Sequence, residues 1–360
     1  MKFLKNFAEE EFLEDSPQEL SDVDKELLAL IEDAKARITV VGCGGAGNNA
    51  IHRLTIEGID RAKTVAINTD AQHLIKTKTD EKVLIGKNLT RGLGAGGDPA
   101  KGEESAKENA DDVKKALQDS DLVFITCGLG GGTGTGSAPV VAEISKKLGA
   151  LTVAVVTLPF SMEGKIRMNN ALAGLNKLKE VADTIVIIPN DKLLEIVPNM
   201  PLRTAFKVAD EVLINSVKGM VELVQNAGDI HVDFADVRAV MSNGGIAMMG
   251  IGESDSEKRA KEAINEALNS PLLCVDVDGA TGVLIHITGP EDMSLEETKE
   301  IVSTVSERLD ENAIIIWGTT IDESIENSLR VLLIITGTKS EGTYTIDVTK
   351  KKYLVDIPKI

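Results

Sequence analysis

Aromatic residues are scarce in this chain: phenylalanine, tyrosine and tryptophan make up 3% of its 360 residues. That argues against stacking platforms for single-stranded nucleic acid, which need successive aromatic faces. Cysteine is as sparse. Cys43, Cys127 and Cys274 are an odd, scattered set in apolar, strand-like runs. They exclude a disulfide framework, speak against a zinc site, and make a reducing cytoplasm the expected compartment. No apolar run is long enough to span a bilayer, and the first residues lack a signal-peptide pattern. Positive charge is in deficit: 39 Lys and Arg against 57 Asp and Glu give a formal net charge of −18. Such a field repels nucleic acid and anionic membrane, so a nucleotide must be held locally, by backbone dipoles and a metal ion. What is present, 42% hydrophobic and 27% charged residues, is ordinary globular composition at a length that suits two domains.

Residues 1–36 read as an acidic helical extension, with Glu9-Glu10-Glu11 set against a short apolar stripe of Phe3, Leu4, Phe7 and Phe12. From Arg37 strands and helices alternate. Strands are predicted at Ile38–Val41, Thr64–Ile67, Leu122–Thr126, Leu151–Thr157 and Thr184–Ile188. Helices are predicted at Asn48–Glu57, Lys101–Gln118, Ala138–Leu148 and Ile166–Val181. That rhythm predicts an α/β fold, a parallel sheet with helices on both faces, whose ligands bind at the carboxyl ends of the strands. Residues 37–201 form this Rossmann-like nucleotide-binding unit, and 202–228 a long connecting helix between Pro201 and Gly228. Residues 229–338 form a second, smaller α+β domain, and 339–360 a polar tail.

Three stretches are glycine-rich, two of them at strand ends. Gly42-Cys43-Gly44-Gly45-Ala46-Gly47-Asn48-Asn49 fits the dinucleotide pattern G-x-G-x-x-G between a strand and a helix, with Asp70 ending the next strand. Alone, it favours a nicotinamide-dependent oxidoreductase. Gly130-Gly131-Gly132-Thr133-Gly134-Thr135-Gly136 is a second cradle, with two hydroxyls beside bare backbone and no Walker lysine. Gly92-Leu93-Gly94-Ala95-Gly96-Gly97 adds a third. Three such loops suit a triphosphate better than a pyrophosphate.

The G-G-G-T-G-T-G run resembles the signature of the tubulin/FtsZ superfamily. The runs Asn68-Thr69-Asp70-Ala71-Gln72, Pro189-Asn190-Asp191-Lys192-Leu193-Leu194 and Val232-Asp233-Phe234-Ala235-Asp236-Val237 resemble its FtsZ branch rather than tubulin. The similarity covers about residues 37–338. It implies a self-assembling GTPase of prokaryotic cell division, cytoplasmic and gathered in a ring at the division site. Such a protein binds GTP or GDP with magnesium and forms head-to-tail filaments with itself.

By that resemblance Gly45, Ala46, Gly47, Asn48 and Asn49, with Gly131, Gly132, Thr133, Gly134, Thr135 and Gly136, hold the phosphates. Ala95, Gly96 and Gly97 sense the γ-phosphate. Asn68 and Asp70 lie near the magnesium, which Asp70 meets largely through water; read blandly, Asp70 is a strand-end turn residue. Glu163 and Arg167 are either an exposed i,i+4 ion pair or contacts to the ribose and the nucleotide edge. Phe206 and Asp210 share a helix face, where Asp210 can pair with the N1–H and N2–H₂ of guanine while Phe206 stacks on the ring and Asn190 completes base recognition. Asp233 and Asp236 read as an N-cap and a first-turn acid, or as the catalytic pair that polarises water at a neighbour's γ-phosphate. His231 stands where the FtsZ pattern usually has asparagine. Asp356-Ile357-Pro358 resembles the start of the FtsZ tail peptide, which implies division-site and membrane-tethering partners. A non-hydrolysing nucleotide-dependent scaffold is the remaining alternative.

Overall fold

The structure, a computed structural model, describes residues 35–59, 61–196, 201–225, 232–273 and 277–337, with the backbone of 344–348 and 351–355. The expected helical extension up to residue 34, His231, Cys274 and Asp356-Ile357-Pro358 lie outside the described residues.

Strands β1 (Ile38–Cys43) and β5 (Leu151–Leu158) are buried at every position. Continuous β-branched and apolar runs of this kind need cover on both faces, and the sheet provides it. With β2 (Ala62–Asn68), β3 (Glu81–Leu84), β4 (Leu122–Gly128) and β6 (Thr184–Pro189) they form a parallel array in the order β3-β2-β1-β4-β5-β6. Successive residues feed opposite cores. Val40, Phe124 and Val155 pack with α1 (Gly44–Glu57) and α8 (Leu202–Gln225) on one face. Val41, Ile125 and Val156 pack on the other with α5 (Thr133–Lys147) and α6 (Lys165–Val181).

The predicted helix Lys101–Gln118 is two helices, α3 (Pro99–Glu108) and α4 (Ala110–Leu117), broken at Asn109. Asn109 leaves helical geometry at φ −111° and ψ 31°, and its Oδ1 accepts from Gly86 N at 2.9 Å, a tertiary bond that periodicity does not carry. Two short helices, α2 (Ala71–Lys76) and α7 (Asn190–Ile196), occupy stretches to which the sequence assigned no element.

The second half is α+β, as expected, and its sheet continues the first. Strand β7 (Gly245–Ser254), absent from the sequence reading, pairs parallel with β6 over three residues, then antiparallel with β10 (Leu329–Thr336). Beyond lie β8 (Gly282–Gly289) and β9 (Ile314–Ile321). Two helices, α10 (Arg259–Leu268) and α11 (Leu295–Ser306), build a third core on this sheet. Strand β7 was missed because Gly245, Gly250 and Gly252 interrupt its apolar pattern. At Gly250 and Gly252 a Cβ would lie 2.3 and 2.1 Å from backbone oxygens of α10, so the helix can approach only bare strand. Helix α9 (Phe234–Met241), a hairpin of β11 (Tyr344–Val348) and β12 (Lys351–Val355), and two 3-10 turns at Ser161–Glu163 and Glu323–Ile325 complete the described elements.

Helix α5 meets α3 at glycines. A Cβ on Gly136 would lie 2.1 Å from Pro99 O and 2.5 Å from Glu103 N, both backbone atoms. Gly136→Ala is therefore expected to force the two helices apart and destabilise the chain by about 1–3 kcal/mol. Thermal unfolding followed by circular dichroism checks this; an unchanged midpoint contradicts it.

Candidate functional site

Two helix starts face the same place. Helix α1 begins at Gly44 and α5 at Thr133, and neither has a side chain capping its first N–H groups. They touch: a Cβ on Gly44 would lie 2.6 Å from Gly134 N. Two uncapped N-termini leave several amide donors and two positive dipole ends close together, an arrangement that favours an anion. The hydroxyls of Thr69 and Thr133 lie 2.6 Å apart and tie the end of β2 to the start of α5.

A cleft of about 290 Å³ opens there, at the carboxyl ends of β4, β5 and β6. It is lined by Gly45, Ala46, Gly131, Gly132, Thr133, Gly134, Glu163, Arg167, Asn190, Phe206 and Asp210, all singled out in the sequence. Residues far apart in the chain thus share one wall. Gly128, Leu129, Thr157, Pro159 and Ala209 line it too. The sequence reading missed them because strand-end and helix residues of this kind carry no motif.

The polar groups in the cleft are not all satisfied within the protein. Asn190 is 6% exposed, and its Oδ1 has no hydrogen-bond partner in the protein. Such an orphan costs about 1–3 kcal/mol unless a ligand meets it. Burial pushes the Asp210 carboxyl above its ordinary range; Arg53 opposes the shift and Glu211 adds to it. Phe206 is 39% exposed and stands edge-on to the buried Phe160, ring centroids 5.2 Å apart at 86°. Its outer face is open to a planar ligand. Glu163 and Arg167 form the i,i+4 ion pair and line the cleft as well, so the two readings of this pair are compatible. Glu163 is held in place by accepting from Phe160 N at 2.9 Å.

Other residues expected at the phosphates support the loops from behind. Asn48 is fully buried, and a Cβ on Gly47 would lie 2.4 Å from Thr126 O, so both pack α1 against the sheet. Thr135 is buried, and its hydroxyl accepts from Gly130 N at 2.9 Å, bracing its own loop. Gly136 serves the contact with α3. The third loop lies against the second: a Cβ on Gly132 would meet Ala95 Cβ at 2.9 Å. Gly96 and Gly97, at φ 63° and 78°, have open space where a side chain would stand. Asp70 follows β2 and caps α2, accepting from His73 N at 3.0 Å. Asn49 and Asn68 flank His73 nearby.

Asp233 and Asp236 are elsewhere. Asp233 caps α9, accepting from Ala235 N at 3.0 Å, and both acids are exposed. At the far end of α9, Met241 O accepts from the hydroxyl of Thr184, the first residue of β6, at 2.5 Å. Asp121 precedes β4; Arg37 holds its carboxyl below the usual range, and Arg238 of α9 contributes. Helix α9 therefore sits at the amino ends of strands whose carboxyl ends form the cleft. Six residues of β6 alone separate the two by about 20 Å.

A larger cavity, about 420 Å³, lies between α8 and the second half of the sheet. None of the expected site residues lines it. Its buried His286 is pushed down to about 4 by burial, with Arg330 and Lys218 adding to the shift.

A model of the tubulin/FtsZ family GTPase domain matches residues 37–198, and one of the FtsZ family C-terminal domain matches residues 245–339. Cell division protein FtsZ 1 of Methanocaldococcus jannaschii is 70% identical, over the full length of both chains. FtsZ 1 of Pyrococcus furiosus is 57% identical over 89% of this chain and 86% of its own. A solved empty FtsZ dimer of M. jannaschii, 71% identical, gives a TM-score of 0.88 over 95% of this chain and 100% of that one. A GTPγS-bound CetZ2 protofilament from Haloferax volcanii, at 23% identity, shares the fold, with a TM-score of 0.71 over 85% of this chain and 94% of that one. The family match spans all three glycine loops and displaces the nicotinamide alternative; the chain belongs to the tubulin/FtsZ family of GTPases, in its FtsZ branch.

Proposed function

We propose that this chain acts in cell division as a filament-forming GTPase whose active site is shared between neighbouring copies. The observation that carries this is the opposition of the two ends. Phosphate-binding helix starts lie at the carboxyl ends of the strands, and the carboxylate pair Asp233 and Asp236 at their amino ends. One chain cannot fold the pair onto its own cleft, but a copy stacked head-to-tail can offer it. Such a contact is heterologous and extends without closing. The dimer formed by the 71% identical M. jannaschii FtsZ supports self-association.

Within the cleft, the amides of Gly45, Ala46 and Gly131–Thr133 take the phosphate oxygens, with the Thr133 hydroxyl as a side-chain donor. Asp210 accepts from guanine N1–H and N2–H₂, Phe206 covers the ring, and the unpaired Asn190 Oδ1 meets the base edge. Glu163 and Arg167 flank the ribose. Magnesium accompanies the triphosphate and supplies charge neutralisation at its oxygens. Among the described residues no group of three or more His, Cys, Asp or Glu gathers that could hold the ion. Asp70 would hold the ion largely through water, the triphosphate oxygens supplying its other ligands. Asp233 and Asp236 of the adjoining copy orient and deprotonate the attacking water.

Right-angle light scattering with phosphate release, comparing GTP, ATP and NAD, tests the reading. Scattering and phosphate release are expected with GTP alone; assembly without hydrolysis would favour the scaffold alternative. Thr133→Ala is expected to weaken GTP binding about tenfold, the loss of one hydrogen bond to a charged group. Isothermal titration checks it, and unchanged affinity places the phosphates on the wrong loop. Gly134→Ala is expected to weaken binding for a packing reason. Its Cβ would lie 2.9 Å from Cys43 O and push the start of α5 away from β1.

A further inference from the structure

A relay of hydrogen bonds runs behind the phosphate loops, and the backbone fixes its direction. One end of the buried Asn48 amide faces three carbonyl oxygens: Gly42 O at 2.8 Å, Gly44 O at 3.1 Å and Ile67 O at 3.2 Å. Three acceptors around one amide end require the NH₂ there. Its Oδ1 then accepts from Asn68 Nδ2 at 3.0 Å. Asn68 is fixed from its other end as well, because its Oδ1 accepts from Asp70 N at 3.2 Å. The Asn68 nitrogen also faces His73 Nδ1, at 3.3 Å. A donor aimed at Nδ1 requires a lone pair there, so the ring proton is on Nε2. Nε2 lies 3.1 Å from Asn49 Oδ1 and donates to it. Each amide orientation follows from the previous one, beginning at three main-chain oxygens.

We infer that His73, as the Nε2–H tautomer, is a positioning residue for nucleotide binding. It turns the oxygen of Asn49 toward the ring, leaving the Asn49 NH₂ as the donor offered to phosphates at the start of α1. The inference rests on the proposed phosphate site and extends it from Gly45 and Ala46 to the exposed Asn49, about one turn further along α1. His73 itself touches no reacting atom. Without it the Asn49 amide is free to rotate, and half its orientations present an oxygen to an anion.

The test uses the full chain with GTP. His73→Phe removes both ring hydrogen bonds, whereas His73→Gln keeps one acceptor and one donor at the end of a flexible side chain. His73→Phe is expected to weaken GTP about tenfold, and His73→Gln to stay within about threefold of wild type. The effect should appear in KM more than in kcat. Nitrogen NMR of the nucleotide-free protein should show His73 protonated at Nε2 and bare at Nδ1. Wild-type affinity in a folded His73→Phe variant, or an Nδ1–H ring, overturns the inference. If His73→Phe does not fold, the ring spectrum and the His73→Gln affinity decide. Asn49→Ala separates the two levels. If it weakens binding while folded His73→Phe does not, only the positioning role fails; if neither it nor Thr133→Ala has an effect, the phosphate assignment fails.

Discussion

Asp233→Ala and Asp236→Ala are expected to bind GTP as the wild type does and to hydrolyse it at least about 10²-fold more slowly, the usual contribution of positioned acid–base groups. Both residues are exposed at the start of α9 and neither supports a core, so the fold should be kept, with Asp233→Ala losing only the cap of α9, about 1 kcal/mol. Filaments of either variant should outlast those of the wild type, because the bound triphosphate persists. Mixing Asp236→Ala with Thr133→Ala should restore part of the lost activity. One copy then supplies an intact cleft and its neighbour an intact carboxylate pair. Wild-type activity per chain should rise steeply above a threshold concentration. The decisive measurement is turnover at high dilution: full activity in a monomer would falsify the shared site.

The second large effect concerns the base. The wild type is expected to prefer GTP over ATP by about 10⁴-fold, because adenine leaves the half-buried Asp210 carboxylate facing an edge without matching donors. Asp210→Asn should lower GTP affinity and favour XTP, whose extra carbonyl meets the new amide donor. Competition titrations with GTP, ATP and XTP on both proteins check this; equal wild-type affinity for ATP and GTP sinks the assignment. Pairing with guanine requires the ionised carboxylate. Because burial raises the Asp210 pKa, GTP affinity should begin to fall on acidification at a higher pH than an ordinary aspartate would give. Asp210→Asn should lack that phase.

Much of the site was legible because its chemistry demands glycine. Close approach of backbone to an anion, or of one helix to another, leaves runs such as Gly130–Gly132 that few other folds need. The same demand hid β7, where glycines make room for α10 and blur the apolar alternation of a strand. The glycine runs also could not say which residues face the ligand. Gly45 and Gly131 look into open space, while Gly47 and Gly136 are pressed against Thr126 and Pro99. Periodicity reports that a side chain is small, not what fills the space beside it.

Sequence by itself determined the alternation of strand and helix, the parallel sheet covered on both faces, the glycine-rich loops at its carboxyl edge and the family. Those properties follow from local pattern, since burial on two faces and anion binding each restrict the residue types of a short stretch. Tertiary structure alone decided that Phe206 and Asp210 come to the same cleft as Gly45 and Thr133, and that Asn190 arrives there unpaired. It also decided that Asp233 and Asp236 lie at the other end of the strands, and that Asn48, Asn68, His73 and Asn49 form one directed relay. The reason is physical: each of these depends on the crossing of elements remote in sequence, and a hydrogen bond's direction depends on every partner around it.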